Sequence, residues 1–497
     1  MMVNQWLALS LLTGLLLGCG GGSNDEQATV NKSPVAQEDH FNTLESTAIT
    51  LTVLANDVEP ESEAMTIQTA TIAAASQGVV TVSSDKKTLL FTPTVGFIGD
   101  ADITYTITDT QGNKASAHVF VSVKALQSLS ARQDTTCAVT PAGTVKCWGG
   151  NDFGQLGDND EVMAALTDSS QKFKSTPVTV VNLNGIKQVA VGYNHACAIS
   201  QTGSVSCWGD NSRGQIGDGT TTLRPQATPV VGLSAKVTQL ALTYQSSCAL
   251  LETGAVQCWG GNTQGELGVG VLAKINQSTS PKNAVLNGVT IKRLVSGRQH
   301  LCGITNSDTL VCWGWNDSGQ LGLTDTTARF IPAPVTSVGT GILQVAAGYG
   351  HTCAVRASDT VCWGDNSKGQ LGDGTTTSSS LPVVVSLLSG VTELALGKEH
   401  SCATKSNNET LCWGSRQAGQ TAQSIDAVLL DKTPVVVAGL TGKQSISAGD
   451  FHSCSIGSGG AVKCWGKNDL GQLGDETTTA TTPIKESATV VSVKNLP

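Results

Sequence analysis

The pattern of apolar and polar positions divides the chain into three regimes. Residues 1–19, MMVNQWLALSLLTGLLLGC, carry an apolar run from Trp6 to Leu17 that is too short to span a bilayer and ends in small residues. Between residues 35 and 124 the pattern alternates, as in Tyr105-Thr-Ile-Thr-Asp and Ala117-His-Val-Phe-Val-Ser-Val. Such alternation, broken by turn signals, predicts a β-sandwich of short half-buried strands. Beyond residue 125 the alternation continues in units that repeat. Each unit reads as an apolar strand such as Gln188-Val-Ala-Val, then Gly-x-x-His-x-Cys-Ala, an x-Gly turn, Val-x-Cys-Trp-Gly-x-Asn, Gly-Gln-Leu-Gly-Asp, and a Thr-rich loop leading to Pro-Val-x-Val.

Seven Cys-Trp-Gly motifs start 50 to 60 residues apart, the spacing of an array in which each unit is one supersecondary element. Strands between Gly-rich turns predict a small antiparallel sheet of about four strands per unit. Seven such sheets arranged radially form a propeller. The first unit, from about Leu126, has no Pro-Val-x-Val segment before it, and the chain ends with a spare one, Thr482-Pro-Ile followed by Ala488-Thr-Val-Val-Ser-Val. The expectation is that this last strand completes the first blade and removes two open sheet edges.

The residues Cys207-Trp208-Gly209-Asp210-Asn211 with Gly214-Gln215-Ile216-Gly217-Asp218, echoed by Cys362-Trp363-Gly364-Asp365-Asn366 with Gly369-Gln370-Leu371-Gly372-Asp373, resemble the repeats of the regulator of chromosome condensation family. The resemblance covers about residues 125 to 497 and implies a seven-bladed β-propeller. The sixth unit departs most, reading Cys412-Trp413-Gly414-Ser415-Arg416-Gln417-Ala418-Gly419-Gln420-Thr421. The segment 35–124 resembles the cadherin-like, immunoglobulin-like modules of bacterial surface proteins through Leu54-Ala55-Asn56-Asp57-Val58-Glu59-Pro60-Glu61 and Phe91-Thr92-Pro93. That resemblance implies an acidic turn able to take Ca²⁺, with Asp57, Glu59, Glu61 and Glu63 as the ligands; a merely solvated acidic turn is the alternative. The expected class is therefore all-β, a seven-bladed propeller behind an N-terminal sandwich module.

Leu16-Leu17-Gly18-Cys19 resembles the lipobox of bacterial lipoproteins, which implies a signal peptide at 1–18 and a lipidated Cys19. Residues 19–34 are polar and Gly-rich and read as a flexible tether. The remaining fourteen cysteines fall in pairs: Cys137 with Cys147, Cys197 with Cys207, Cys248 with Cys258, Cys302 with Cys312, Cys353 with Cys362, Cys402 with Cys412 and Cys454 with Cys464. In six pairs the two are ten positions apart around a turn, which sets them opposite each other on adjacent antiparallel strands, within disulfide reach. The fifth pair is nine apart, which a hairpin shorter by one residue absorbs. After a secretory signal an even count in regular pairs reads as disulfides. Metal ligation is disfavoured because each unit offers at most three ligands, and buried reduced thiols are the remaining alternative.

His195, His300, His351, His400 and His452 share one repeat position, with Thr135 and Ser246 in the other two units. A residue recurring unit by unit points to one structural role, a hydrogen bond that fixes a turn. Catalysis needs one asymmetric set of nucleophile, base and orienting group, and none stands out, so no enzyme activity is expected; a cell-wall or glycan-acting enzyme is the rival reading. Only 14% of residues are charged and the net charge is −9, without the basic run that nucleic acid demands. No small-molecule cofactor is implied.

If the shared residues build the scaffold, function sits where the units differ. Tyr193, Tyr244 and Tyr349 stand four residues before the first cysteine of their units, where Gln133, Arg298, Lys398 and Asp450 stand elsewhere. That position would gather them on one face, and Tyr and Arg anchor protein interfaces; alternatively each Tyr props its own loop. Trp315, where other units carry Gly, Asp, Ser or Lys, is expected to face water as a contact residue. Insertions at 158–176 and 269–282 break the symmetry further. The expectation is a lipid-anchored protein of the cell envelope, at the outer membrane or cell surface, whose propeller binds an unknown protein; an enzyme inhibitor is the second binding-class reading.

Overall fold

The computed structural model describes residues 31–44, 48–94, 97–124, 128–160, 172–270, 275–426, 429–440, 442, 444–457, 460–479 and 486–496. The signal segment, Cys19 and most of the tether lie outside the described residues, as do parts of both insertions.

The N-terminal module has seven strands: β1 (Asp39–Leu44), β2 (Ile49–Leu51), β3 (Thr66–Ile72), β4 (Gly78–Val82), β5 (Leu89–Pro93), β6 (Gly99–Thr108) and β7 (Lys114–Lys124). They form sheets in the orders β1-β7-β6-β3 and β2-β5-β4, with β1 parallel to β7. Alternate residues of β6, Ala101, Ile103, Tyr105 and Ile107, point inward with Val119 and Val121 of β7 and Phe91 of β5. This is the two-sheet sandwich that period-2 patterning requires.

The propeller follows as seven four-stranded sheets, each formed from consecutive strands. The first blade is β8 (Ser128–Arg132), β9 (Thr135–Val139), β10 (Val145–Gly150) and β11 (Phe173–Thr179). The last is Gln444–Ala448, His452–Gly457, Val462–Lys467 and Glu486–Ser492. The C-terminal strand therefore completes the seventh blade, not the first, because Cys464 pairs with Val491 and Gly466 with Ser487. The Pro-Val strand belongs after its own Cys-Trp-Gly strand, folding back as a local antiparallel partner, as in Cys207 opposite Thr228. Local pairing needs no crossing between blades, so no unit is short of a strand. Six of the seven outer strands carry proline, at Pro177, Pro229, Pro281, Pro334, Pro382 and Pro434. A proline on an exposed edge blocks pairing with another chain.

Side chains close the ring instead of strand pairing. The Trp of every blade donates its indole N–H to the carbonyl of the Gly-Gln/Glu turn in the preceding blade: Trp208 to Gln155 at 2.8 Å, Trp259 to Gln215 at 2.8 Å, Trp313 to Glu266 at 3.0 Å, Trp363 to Gln320 at 2.9 Å, Trp413 to Gln370 at 2.9 Å and Trp465 to Gln420 at 3.0 Å. The seventh bond, Trp148 to Gln472 at 3.0 Å, joins the last blade to the first. All seven indoles are fully buried. The hydrophobic core consequently lies in the seams, as where Trp208 packs with Cys137, Val145 and Leu156 of the blade before it. The sixth unit keeps this turn despite its divergent sequence. Ala422 stands where other units have Gly and takes a positive φ of 56°, and its N–H reaches the Gly419 carbonyl at 2.9 Å as Gly217 reaches Gly214.

All fourteen propeller cysteines are paired as the spacing implies, at directly opposed positions with Cα atoms 4.0 to 4.1 Å apart. In the fifth blade the shortened hairpin is fastened by Arg356 and Asp359 at 2.7 Å.

Candidate protein-binding face

The repeated histidines are seam residues rather than turn fasteners. Each is fully buried, and its Nε2 meets a hydroxyl of the following blade: His195 with Ser247 at 2.9 Å, His300 with Thr352 at 3.0 Å, His351 with Ser401 at 2.8 Å, His400 with Ser453 at 2.8 Å and His452 with Thr136 at 2.8 Å. Ser247, Thr352 and Ser401 spend their own protons on the carbonyls of Gln215, Gln320 and Gln370. Nε2 of His195, His300 and His351 must then be the donor and Nδ1 a bare acceptor, and Nδ1 of these three indeed has no partner. Burial pushes these imidazoles down, to about 4 for His195 and His351 and about 3 for His300, His400 and His452. They are neutral and out of reach of any substrate.

The seam also explains the recurring Gly-x-x-His. A Cβ on Gly192, Gly297, Gly348, Gly397 or Gly449 would lie 2.1 to 2.6 Å from the ring of the His three residues on. Where His is missing, the whole set changes together. The third blade has Thr243 with Ser246, joined hydroxyl to hydroxyl at 2.6 Å, and the following blade supplies Leu301. The first blade has Arg132 with Thr135, and the next supplies Ala196. This co-variation within one chain was legible from the sequence once the seam partner was known.

Freed from the glycine requirement, Arg132 projects into the axial channel. The channel holds a cavity of about 300 Å³ between the innermost strands, lined by small residues such as Ala131, Ala190, Ala241 and Ala346. Arg132 crosses it, donating from Nη2 to the carbonyl of Ser296 in the fourth blade at 3.2 Å. Burial lowers its pKa and the carboxylate of Asp450 opposes that. Burial in turn pushes Asp450 up to about 6 against the pull of Arg132, Lys398 and Arg298.

At one mouth of this channel the residues four before the first cysteines come together. Backbone hydrogen bonds stitch the position from blade to blade: Arg298 N to Gly348 O at 3.0 Å, Tyr349 N to Gly397 O at 3.1 Å, Lys398 N to Asp450 O at 3.0 Å and Asp450 N to Gln133 O at 3.1 Å. On this frame the rings of Tyr193 and Tyr244 meet edge-on with centroids 4.4 Å apart. The Arg298 guanidinium lies 5.1 Å from the Tyr244 ring, 4.3 Å from Tyr349 and 5.9 Å from Trp315, and Trp315 meets Tyr349 at 6.2 Å. Lys398 Nζ sits 5.2 Å from Tyr349 and 4.9 Å from Phe451. The five residues singled out from the sequence are thus brought into one cluster. Trp315 does not simply face water; it is half-buried beneath Arg298 because the neighbouring blade supplies both a cation and a ring edge. Lys398 and Phe451 complete the cluster. Phe451, immediately before a seam His, gave no pattern that set it apart.

The acidic turn of the sandwich module does not gather its carboxylates. Asp57 accepts from the Gln37 amide at 2.7 Å and the Tyr105 hydroxyl at 2.9 Å, Glu59 accepts from the Glu63 amide at 2.8 Å, Glu61 pairs with Lys32 at 3.6 Å, and Glu63 accepts from Gln111 at 3.1 Å. Among the described residues no three acidic, His or Cys side chains converge as metal ligands. Burial and the neighbouring Asp57 raise Asp39 to about 6.

Comparison with known proteins agrees with this architecture. The chain matches the RCC1-like domain over residues 90–425 and 171–495, and a bacterial Ig domain over residues 31–122. It belongs to the RCC1-like domain family, with an Ig domain in front of the propeller. Among curated relatives it is 31% identical to the ultraviolet-B receptor UVR8 of Arabidopsis thaliana over 234 residues, covering 46% of this chain and 51% of the relative. It is 30% identical to the regulator of chromosome condensation of Mus musculus over 184 residues, 37% of this chain and 41% of the relative. The chain thus spans about half or less of the length of these relatives. The solved structure of Prp20p from Saccharomyces cerevisiae, described with its binding to Gsp1p and histones, superposes with a TM-score of 0.60 at 21% identity, covering 76% of this chain and 87% of that one. That likeness establishes the fold.

Proposed function

We propose that this chain is a bacterial envelope lipoprotein, anchored through Cys19, whose sandwich module carries a disulfide-stapled propeller that binds another protein through the channel-mouth cluster. The observation that carries the reading is the convergence of Tyr193, Tyr244, Arg298, Trp315 and Tyr349 from four successive blades onto one half-buried patch. Clusters rich in Tyr, Trp and Arg at the centre of a surface supply most of the binding energy in protein interfaces. Relatives with this fold support a protein-interaction role, since Prp20p is described as binding Gsp1p and histones. The seam histidines are buried and neutral, which favours binding over hydrolysis.

The test is affinity capture from envelope extracts with the full chain carrying Cys19→Ala, compared with the same bait bearing Tyr244→Ala or Trp315→Ala. A partner held by the parent bait and lost from both variants supports the face. Equal capture by all three baits rejects it. Incorporation of a labelled fatty acid, abolished by Cys19→Ser, tests the anchor.

A further inference from the structure

We infer that the partner presents a carboxylate-rich polypeptide segment to the channel mouth, with Arg298 and Lys398 as its receptors. This rests on the binding face proposed above and specifies what that face recognises. Several propeller cations of the outer turns are matched to carboxylates, Arg224 with Asp218 at 2.7 Å, Arg329 with Asp325 at 2.6 Å, Arg416 with Asp431 at 2.6 Å and Lys467 with Asp134 at 3.2 Å. Among the described residues Arg298 and Lys398 have no carboxylate within ion-pair distance, the buried Asp450 acting on them and on Arg132 only from farther off, and Arg298 Nε is buried with no hydrogen-bond partner. Ring faces hold them in place, and a ring face attracts a cation without using its N–H donors. Those donors are thus left for a ligand, and a planar guanidinium on a rigid platform is suited to bidentate binding of a carboxylate.

The same geometry argues for polypeptide over polysaccharide. A sugar would stack its C–H face on an open ring, yet Tyr244 and Tyr349 are covered by Arg298, Tyr349 and Phe451 by Lys398, and Tyr193 and Trp315 meet neighbours edge-on. The patch carries two half-buried cationic side chains rimmed by aromatic rings. That arrangement fits acidic side chains spaced by small apolar ones. The net charge of −9 over the whole chain makes this cationic patch a local exception, which sharpens selection by charge.

The experiment is fluorescence anisotropy with the full chain carrying Cys19→Ala and three labelled twelve-residue probes, alternating Glu/Ala, Gln/Ala and Lys/Ala, with a sulfated heparin oligosaccharide as competitor. The expected result is binding of the Glu/Ala probe alone, weakened at least tenfold when NaCl rises from about 50 to about 300 mM. Arg298→Ala and Lys398→Ala should each weaken it at least tenfold, while Arg298→Lys, which keeps the charge but not the fork, should weaken it about threefold. The salt series on the unsubstituted side chains needs no variant to fold. Equal binding of Glu/Ala and Gln/Ala, no binding of Glu/Ala, or stronger binding of the oligosaccharide than of Glu/Ala overturns the inference. A captured partner lost with Tyr244→Ala and Trp315→Ala but indifferent to Arg298→Ala and to salt overturns the acidic-segment inference alone and leaves the binding face standing.

Discussion

Removing the hydroxyl of Thr352 probes the seam bond at a single atom. Thr352→Val leaves the side-chain shape almost unchanged but takes the acceptor from His300 Nε2, 3.0 Å away, and the donor from the Gln320 carbonyl at 2.7 Å. The carbonyl keeps the indole of Trp363 at 2.9 Å. His300 loses its only side-chain partner, since Nδ1 already has none, and water cannot reach a fully buried ring. A buried polar group left unsatisfied costs about 1 to 3 kcal/mol. His300→Leu removes the other partner and costs a similar amount. The double variant, apolar on both sides of the seam, should be less destabilised than the two single losses combined, by about 1 kcal/mol or more. Urea unfolding of the oxidised protein followed by tryptophan fluorescence measures the cycle. For a domain of this size each kcal/mol corresponds to about 1 °C in Tm. A loss below about 0.5 kcal/mol for Thr352→Val, or additive single effects, would show that the seam bond contributes little.

Three further outcomes follow from the same architecture. The five buried imidazoles have folded pKa values of about 3 to 4 against an ordinary 6.5, so the unfolded chain binds more protons; propeller stability should be full above pH 6.5 and fall as the pH drops towards 4, and a flat midpoint across that window in urea titrations rejects the neutral seam. Cys353→Ala with Cys362→Ala opens a loop of nine residues and should cost about 2 to 3 kcal/mol, while thiol counting on the denatured, unreduced parent should find no reactive propeller cysteine. Gly397→Ala drives a Cβ to 2.2 Å from the His400 ring and 2.6 Å from the Gly449 carbonyl; overpacking of this kind costs about 1 to 3 kcal/mol, and in thermal melts Gly397→Ala should be less destabilising in a His400→Ser background than in the parent, equal losses in the two backgrounds rejecting a clash at that ring.

The sequence by itself determined the repeat count, the all-β class and the cysteine pairing, because each depends on local spacing. Seven Cys-Trp-Gly motifs at one period give seven blades, and two cysteines flanking a short turn can only face each other. It also singled out Tyr193, Tyr244, Arg298, Trp315 and Tyr349 as departures from the repeat. Partnerships between units were decided by the tertiary structure. The repeat was phased one strand out at its ends, since a linear chain does not say whether the Pro-Val strand opens a unit or closes it; its pairing with Cys-Trp-Gly does. The histidines looked like turn residues until the next blade supplied their hydroxyls, some 50 residues away in sequence. Trp315 looked exposed because nothing nearby in the chain covers it, and Arg298 and Tyr349, from the adjoining loops, do. In a closed ring the core and the channel-mouth cluster lie between blades, so the contacts that define them are long-range and recorded only in the fold.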